Sequence, residues 1–74
     1  MGKVIAVEVF CKNLIELRKL HRLTQRQVAS ALGIAQPSYI RYENGQSEPT
    51  IENLIKLADL FDVSIDFLCG RKEY

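Results

Sequence analysis

The sequence predicts an all-α fold of five short helices, and three observations carry that reading. Apolar residues recur at helical rather than alternating spacing along most of the chain. Each such stretch is bracketed by residues that start or stop helices. The connections between them run to about two to six residues, the usual span between packed helices. At 74 residues the length predicts one domain, read as an N-terminal arm at 1–9, a helical domain at 10–70 and a tail at 71–74.

The first helix is expected from Val9 or Phe10 to His21, because Phe10, Leu14, Leu17 and His21 fall at i, i+4, i+7 and i+11 on one face. The second opens on Thr24. Thr24-Gln25-Arg26-Gln27 reads as a capping box, in which the Thr hydroxyl accepts from the Gln27 backbone and the Gln27 side chain reaches back. Val28, Ala29 and Leu32 form its apolar stripe, and Gly33 supplies a left-handed C-cap. A third helix can begin at Gln36, with Pro37 in the first turn where a missing N–H is harmless, and it ends at Asn44-Gly45. Gln46-Ser47-Glu48-Pro49 is a loop. Thr50 caps the fourth helix, whose buried side is expected to hold Ile51, Leu54, Leu57, Ala58 and Phe61. Ser64 caps a short fifth helix that ends at Gly70.

Ahead of the first helix, Val4-Ile5-Ala6-Val7-Glu8-Val9 is rich in β-branched residues. It reads either as a short strand or arm, or as an extension of the first helix. A lone strand has unpaired backbone groups that a second copy across a two-fold axis would satisfy. The fifth helix carries more apolar surface than so short an element can hide. Val4, Ile5 and Val7, together with Ile65, Phe67, Leu68 and Cys69, are therefore the expected homodimer interface.

Composition removes several functional classes. A chain that is 47% hydrophobic and 26% charged is globular rather than disordered. No apolar run approaches the roughly 18 residues that span a bilayer, and no signal peptide is read, so a cytoplasmic protein without a membrane partner is expected. Cys11 and Cys69 form no CxxC pair and His21 is the single histidine, which argues against a zinc site or a disulfide scaffold. The two cysteines read as small apolar fillers and His21 as a residue favourable to a helix C-terminus. No nucleophile with a base and an orienter, no paired carboxylates and no phosphate-cradling Gly loop are present, so no enzyme, metal, cofactor or small-molecule ligand is expected. Net charge is +1, but it is unevenly spread. Residues 1–47 hold seven cations against three anions, a net +4, while residues 48–74 hold three against six, a net −3. Such asymmetry can turn one face to an anionic partner.

The second and third helices are joined by a tight Gly-containing turn, the spacing of a helix-turn-helix. Ala29 lets the helices approach, Gly33 allows the turn, and Ile34 packs between them. Val28, Leu32, Tyr39 and Tyr42 anchor the pair, which frees the outer face of the third helix to enter a major groove.

Leu17-Arg18, Leu23-Thr24-Gln25, Val28-Ala29, Leu32-Gly33-Ile34, Tyr42-Glu43-Asn44-Gly45, Pro49, Leu54, Leu57-Ala58 and Phe61-Asp62-Val63-Ser64-Ile65-Asp66-Phe67-Leu68 together resemble the Cro/C1-type helix-turn-helix family of bacterial and phage repressors. The resemblance covers about residues 10–70 and implies the five-helix lambda-repressor-like fold. It also implies a transcriptional regulator that binds double-stranded DNA as a homodimer. Base contacts are implied for Gln36, Pro37, Ser38, Ile40 and Arg41, since Gln suits adenine, Arg suits guanine and Pro can touch a thymine methyl. Phosphate contacts are implied for Thr24 and Gln25 at a helix N-terminus, and for Asn44, Gln46 and Ser47 after the third helix. Arg18 and Glu43 are implied as a structural ion pair. The chain departs from the pattern at Arg22, where a turn-former is usual, and at Tyr39 and Ile40, where Ile and Ser are commoner. A left-handed Arg22 would carry a strain of roughly 1 kcal/mol. A repressor on a palindromic operator is the expected function. The alternatives are an antitoxin or controller component of a small operon, and a protein-interaction module that kept the fold without DNA binding.

Overall fold

A computed structural model describes residues 2–71, with side chains from residue 7 onward. Five helices follow in order: α1 (Gly2–Leu20), α2 (Gln25–Leu32), α3 (Gln36–Asn44), α4 (Ile51–Phe61) and α5 (Ile65–Leu68). No strand occurs among the described residues.

Local chemistry sets most of these boundaries. The Thr24 hydroxyl accepts from the Gln27 N–H at 3.0 Å, and the Gln27 side-chain oxygen accepts from the Thr24 N–H at 2.8 Å, so the capping box is complete. Thr50 and Ser64 cap α4 and α5 by accepting from Asn53 and Phe67. Gly33 closes α2 at φ 74°, a left-handed conformation that costs glycine little. Arg22 takes the left-handed φ of 58°, and Asp62 takes φ 57° at the end of α4.

The core is one cluster of Phe10, Leu14 and Leu17 from α1, Val28, Ala29 and Leu32 from α2, Tyr39 and Tyr42 from α3, Leu57 and Phe61 from α4, and Leu68 from α5. Ile34 packs against it from the turn. The α2–turn–α3 unit rests on α1 and α4, and α5 closes against α1 and α4. The Asn13 amide pins α5 by donating to the carbonyls of Phe67 at 3.0 Å and Leu68 at 3.3 Å. The Lys56 ammonium reaches the Leu32 carbonyl at the end of α2, at 3.5 Å.

Three expectations are corrected. Residues 2–9 form neither arm nor strand: they extend α1, the alternative stated above for residues 4–9. β-Branched residues lower helix propensity by only a few tenths of a kcal/mol, and continuing an existing helix satisfies the backbone that a lone strand would leave open. Val7 and Val9 are also half-buried there. Ile51 is 78% exposed rather than on the buried side of α4. It occupies the first turn, and the core stripe begins one turn later at Leu54. Leu68 is fully buried in the core and offers no surface to a dimer interface. The side chains of Val4 and Ile5, and the tail beyond Arg71, lie outside the described residues.

Candidate nucleic-acid interface

The orientation of α3 rests on one carboxylate. Glu43 is 5% exposed, so its charge must be paired. Arg18 Nε donates to Glu43 Oε2 at 2.6 Å and Arg18 Nη2 to Oε1 at 3.3 Å, the fork geometry expected of the ion pair. Arg18 Nη1 also donates to the Leu23 carbonyl at 3.1 Å, which ties down the α1–α2 turn. Two further donors arrive that sequence reasoning did not foresee. Tyr39 Oη donates to Oε2 at 2.5 Å, and Gln25 Nε2 donates to Oε1 at 3.0 Å. Burial alone would raise the carboxyl pKa, but the hydrogen bonds from Arg18, Tyr39 and Gln25 outweigh it and hold Glu43 below its ordinary value. Burial and the neighbouring carboxylate push the Tyr39 hydroxyl far above its usual range, so it remains a donor.

With Tyr39, Tyr42 and Glu43 turned inward, the opposite stripe of α3 is open. Pro37, Arg41 and Asn44 are exposed at i, i+4 and i+7, flanked by half-buried Gln36 and Ile40. Ser38 is half-buried at the side of this stripe. Gln46 and Ser47 fold back so that both backbone N–H groups donate to the Arg41 carbonyl, which leaves their side chains exposed. Thr24 is exposed, and its hydroxyl hydrogen is still available to an acceptor. Gln25 is half-buried, with one amide hydrogen committed to Glu43.

The structure adds Arg26 to this surface. It is exposed in the first turn of α2, and its Nε approaches Gln36 Oε1 at 3.5 Å. Arg26 belongs to the basic half of the chain, but its place beside the start of α3 depends on how α2 and α3 cross. His21 follows the end of α1, where its Nδ1 lies 3.0 Å from the Leu17 carbonyl and its ring packs 5.3 Å from Phe61.

The cysteines lie elsewhere. Cys11 and Cys69 are half-buried along an apolar groove of about 330 Å³ shared with Val7, Phe10, Pro49 and Leu54, with Ser47 and Glu48 at its polar part. The Cys11 thiol donates to the Tyr42 carbonyl at 3.3 Å. Burial pushes both thiols up, which keeps them protonated and in keeping with packing residues. No group of metal-ligating side chains occurs among the described residues. No described helix is long and apolar enough to cross a membrane.

A helix presented outward by a tight turn from a second helix is a helix-turn-helix arrangement, and here α3 is held to α1 by the Arg18–Glu43 pair and to α2 through Gln25. Residues 14–68 match the Helix-turn-helix family, and the chain belongs to that family, in its Cro/C1-type form. It is 48% identical over 60 residues to the cryptic phage CTXphi transcriptional repressor RstR of Vibrio cholerae, a match that covers 81% of this chain and 54% of that protein. The crystal structure of a transcriptional regulator from Listeria innocua superposes with a TM-score of 0.80 at 38% identity, over 88% of this chain and 61% of that one. The restriction-modification controller protein C.AhdI from Aeromonas hydrophila superposes with a TM-score of 0.75 at 29% identity, over 84% of this chain and 94% of that one. The chain spans about half the length of the curated relatives it matches.

Proposed function

We propose that this chain is a sequence-specific DNA-binding transcriptional regulator, a repressor that acts as a homodimer on a palindromic operator in the cytoplasm. The observation that carries the reading is the open stripe of α3, with Pro37, Arg41 and Asn44 facing out from a helix whose other side is locked through Glu43. Gln36 and Arg41 carry the donor and acceptor groups that read base edges in a major groove, while Pro37 and Ile40 offer apolar contact and Ser38 a hydroxyl at the flank. Thr24, Gln25 and the free N–H groups of the first turn of α2 suit one phosphate, and Asn44, Gln46 and Ser47 suit another. Arg26 adds charge beside Gln36. The relatives named above as repressor and regulator support the same reading, and a role in catalysis has no support from them.

Two copies would place their α3 helices in successive major grooves about 34–36 Å apart and double a small footprint. Val7, Ile65, Phe67 and Cys69, with Val4 and Ile5, remain the proposed contact between copies. The likeness to a controller protein keeps a role in a small restriction-modification operon as the second reading.

Selection of bound duplexes from a random library at two salt concentrations tests the proposal. The expected result is one enriched palindromic sequence whose affinity falls steeply with salt. Absence of enrichment, with no binding at low salt, would move the chain to the interaction-module reading.

A further inference from the structure

We infer that Tyr39, a core residue out of reach of any ligand on the open stripe, is a positioning residue for the phosphate-binding end of α2, acting through Glu43 on the Gln25 side chain; this rests on the DNA-binding reading above. Tyr39 is fully buried, and its hydroxyl donates to Glu43 Oε2 at 2.5 Å. Arg18 Nε shares that oxygen at 2.6 Å. The other oxygen, Oε1, receives Arg18 Nη2 at 3.3 Å and Gln25 Nε2 at 3.0 Å. A carboxylate offers about four acceptor positions, so these four donors fill it and fix its plane.

The consequence falls on Gln25. An ionised carboxylate only accepts, so the Gln25 amide must turn its NH₂ group, not its oxygen, toward Glu43. One amide hydrogen is thereby spent inward. The second is left fixed in direction at the N-terminus of α2, beside first-turn backbone N–H groups that no helical carbonyl reaches. A fixed amide hydrogen next to free N–H groups suits an anionic oxygen better than a rotating side chain does, because less freedom is lost on binding. Removing the Tyr39 hydroxyl leaves Oε2 to Arg18 alone. The carboxylate can then turn toward the guanidinium, and Oε1 moves away from Gln25. Arg18 holds the fold, whereas Tyr39 decides which way the second oxygen faces.

The test is a double-mutant cycle of Tyr39→Phe and Gln25→Ala, read as affinity for the selected operator and for unrelated duplex at a temperature where every variant is fully folded by circular dichroism. Tyr39→Phe is expected to weaken both duplexes by a similar factor of about three to ten. It should leave the preferred sequence unchanged and add little further loss in the Gln25→Ala background. The side-chain amide resonances of Gln25 are expected to lose their shift dispersion in Tyr39→Phe without DNA present, a change that a purely stabilising hydroxyl would not cause. Additive losses in the cycle, or unchanged Gln25 amide resonances, overturn the inference while leaving DNA binding intact. Failure of the unmutated chain to bind any duplex overturns the DNA-binding reading itself and this role with it, whatever the resonances show.

Discussion

Around Glu43, donors from α1, α2 and α3 converge on one buried carboxylate; around Gly70, the end of α5 meets α1 through van der Waals contact and the Asn13 amide. In the first region every polar group has a partner: no buried side-chain nitrogen or oxygen among the described residues lacks a hydrogen bond. Directional bonds of this kind fix the angle of α3, the helix proposed above to meet DNA in one orientation. In the second region apolar area dominates, with a groove between α1 and the α3–α4 loop and with Ile65 36% exposed. Apolar contact is non-directional and suits association between copies. The contrast assigns orientation to the polar hub and burial to the apolar side, and each assignment can be broken separately.

The largest effect is expected at the hub. Arg18→Ala leaves a buried carboxylate with only Tyr39 and Gln25 as donors, and should destabilise the fold by about 3 kcal/mol in urea unfolding. The same region sets a pH dependence. Because Glu43 sits below its ordinary 4.5, its stabilisation is complete above that pH and is lost as pH falls through the lowered folded value. Glu43→Gln should therefore flatten the acid limb of a stability–pH curve; an unchanged limb would place the acid sensitivity elsewhere.

Next comes the apolar side. A Cβ on Gly70 would stand 2.2 Å from Val9 Cγ1, at φ +80°. Gly70→Ala is expected to lower stability by about 2–3 kcal/mol through overlap and strain, and Val9→Ala should restore part of that loss. Gly33 makes the control: it shares the left-handed backbone, but a Cβ there meets nothing within 4 Å. Gly33→Ala should cost only about 1 kcal/mol, the conformational part alone. Equal losses in thermal unfolding at the two glycines would show that the α1–α5 contact contributes nothing beyond backbone strain. The smallest effect is expected from Ile65→Lys, which should leave the folded monomer intact and weaken association by about 1 kcal/mol or less in sedimentation equilibrium.

These two regions were not equally legible in the sequence. The capping box and the Gly33 stop follow from residues within a few positions of one another, where spacing alone states the geometry, whereas Arg22 at φ 58° stands out only as a departure from the family pattern. The Arg18–Glu43 pair entered through the resemblance, and the structure has it. In the sequence Gln25 stands alone as an implied phosphate contact and Tyr39 as a core anchor. Their shared carboxylate depends on the crossing of α2 and α3, which periodicity does not encode. On the apolar side, residues 4–9 satisfy strand and helix rules alike, and continuation of α1, with Val7 and Val9 half-buried, decides for the helix. Ile51 has the right spacing for the buried side of α4 and Leu68 sits on a short apolar helix, but the exposure of each depends on where the neighbouring helices end.

In the proposed complex the hub holds α3 so that Arg41 meets base edges while Gln25 meets backbone. Competition binding of Arg41→Ala and Gln25→Ala against single-base variants of the selected operator tests it most directly. Arg41→Ala should lose about 1–3 kcal/mol on the operator and become indifferent at one base pair. Gln25→Ala should lose affinity evenly across all variants, with little change in salt slope because a neutral amide displaces no counterion. An Arg41→Ala loss of the same size on every variant would mean that Arg41 touches phosphate and that α3 is not the reading helix in the orientation that Glu43 imposes.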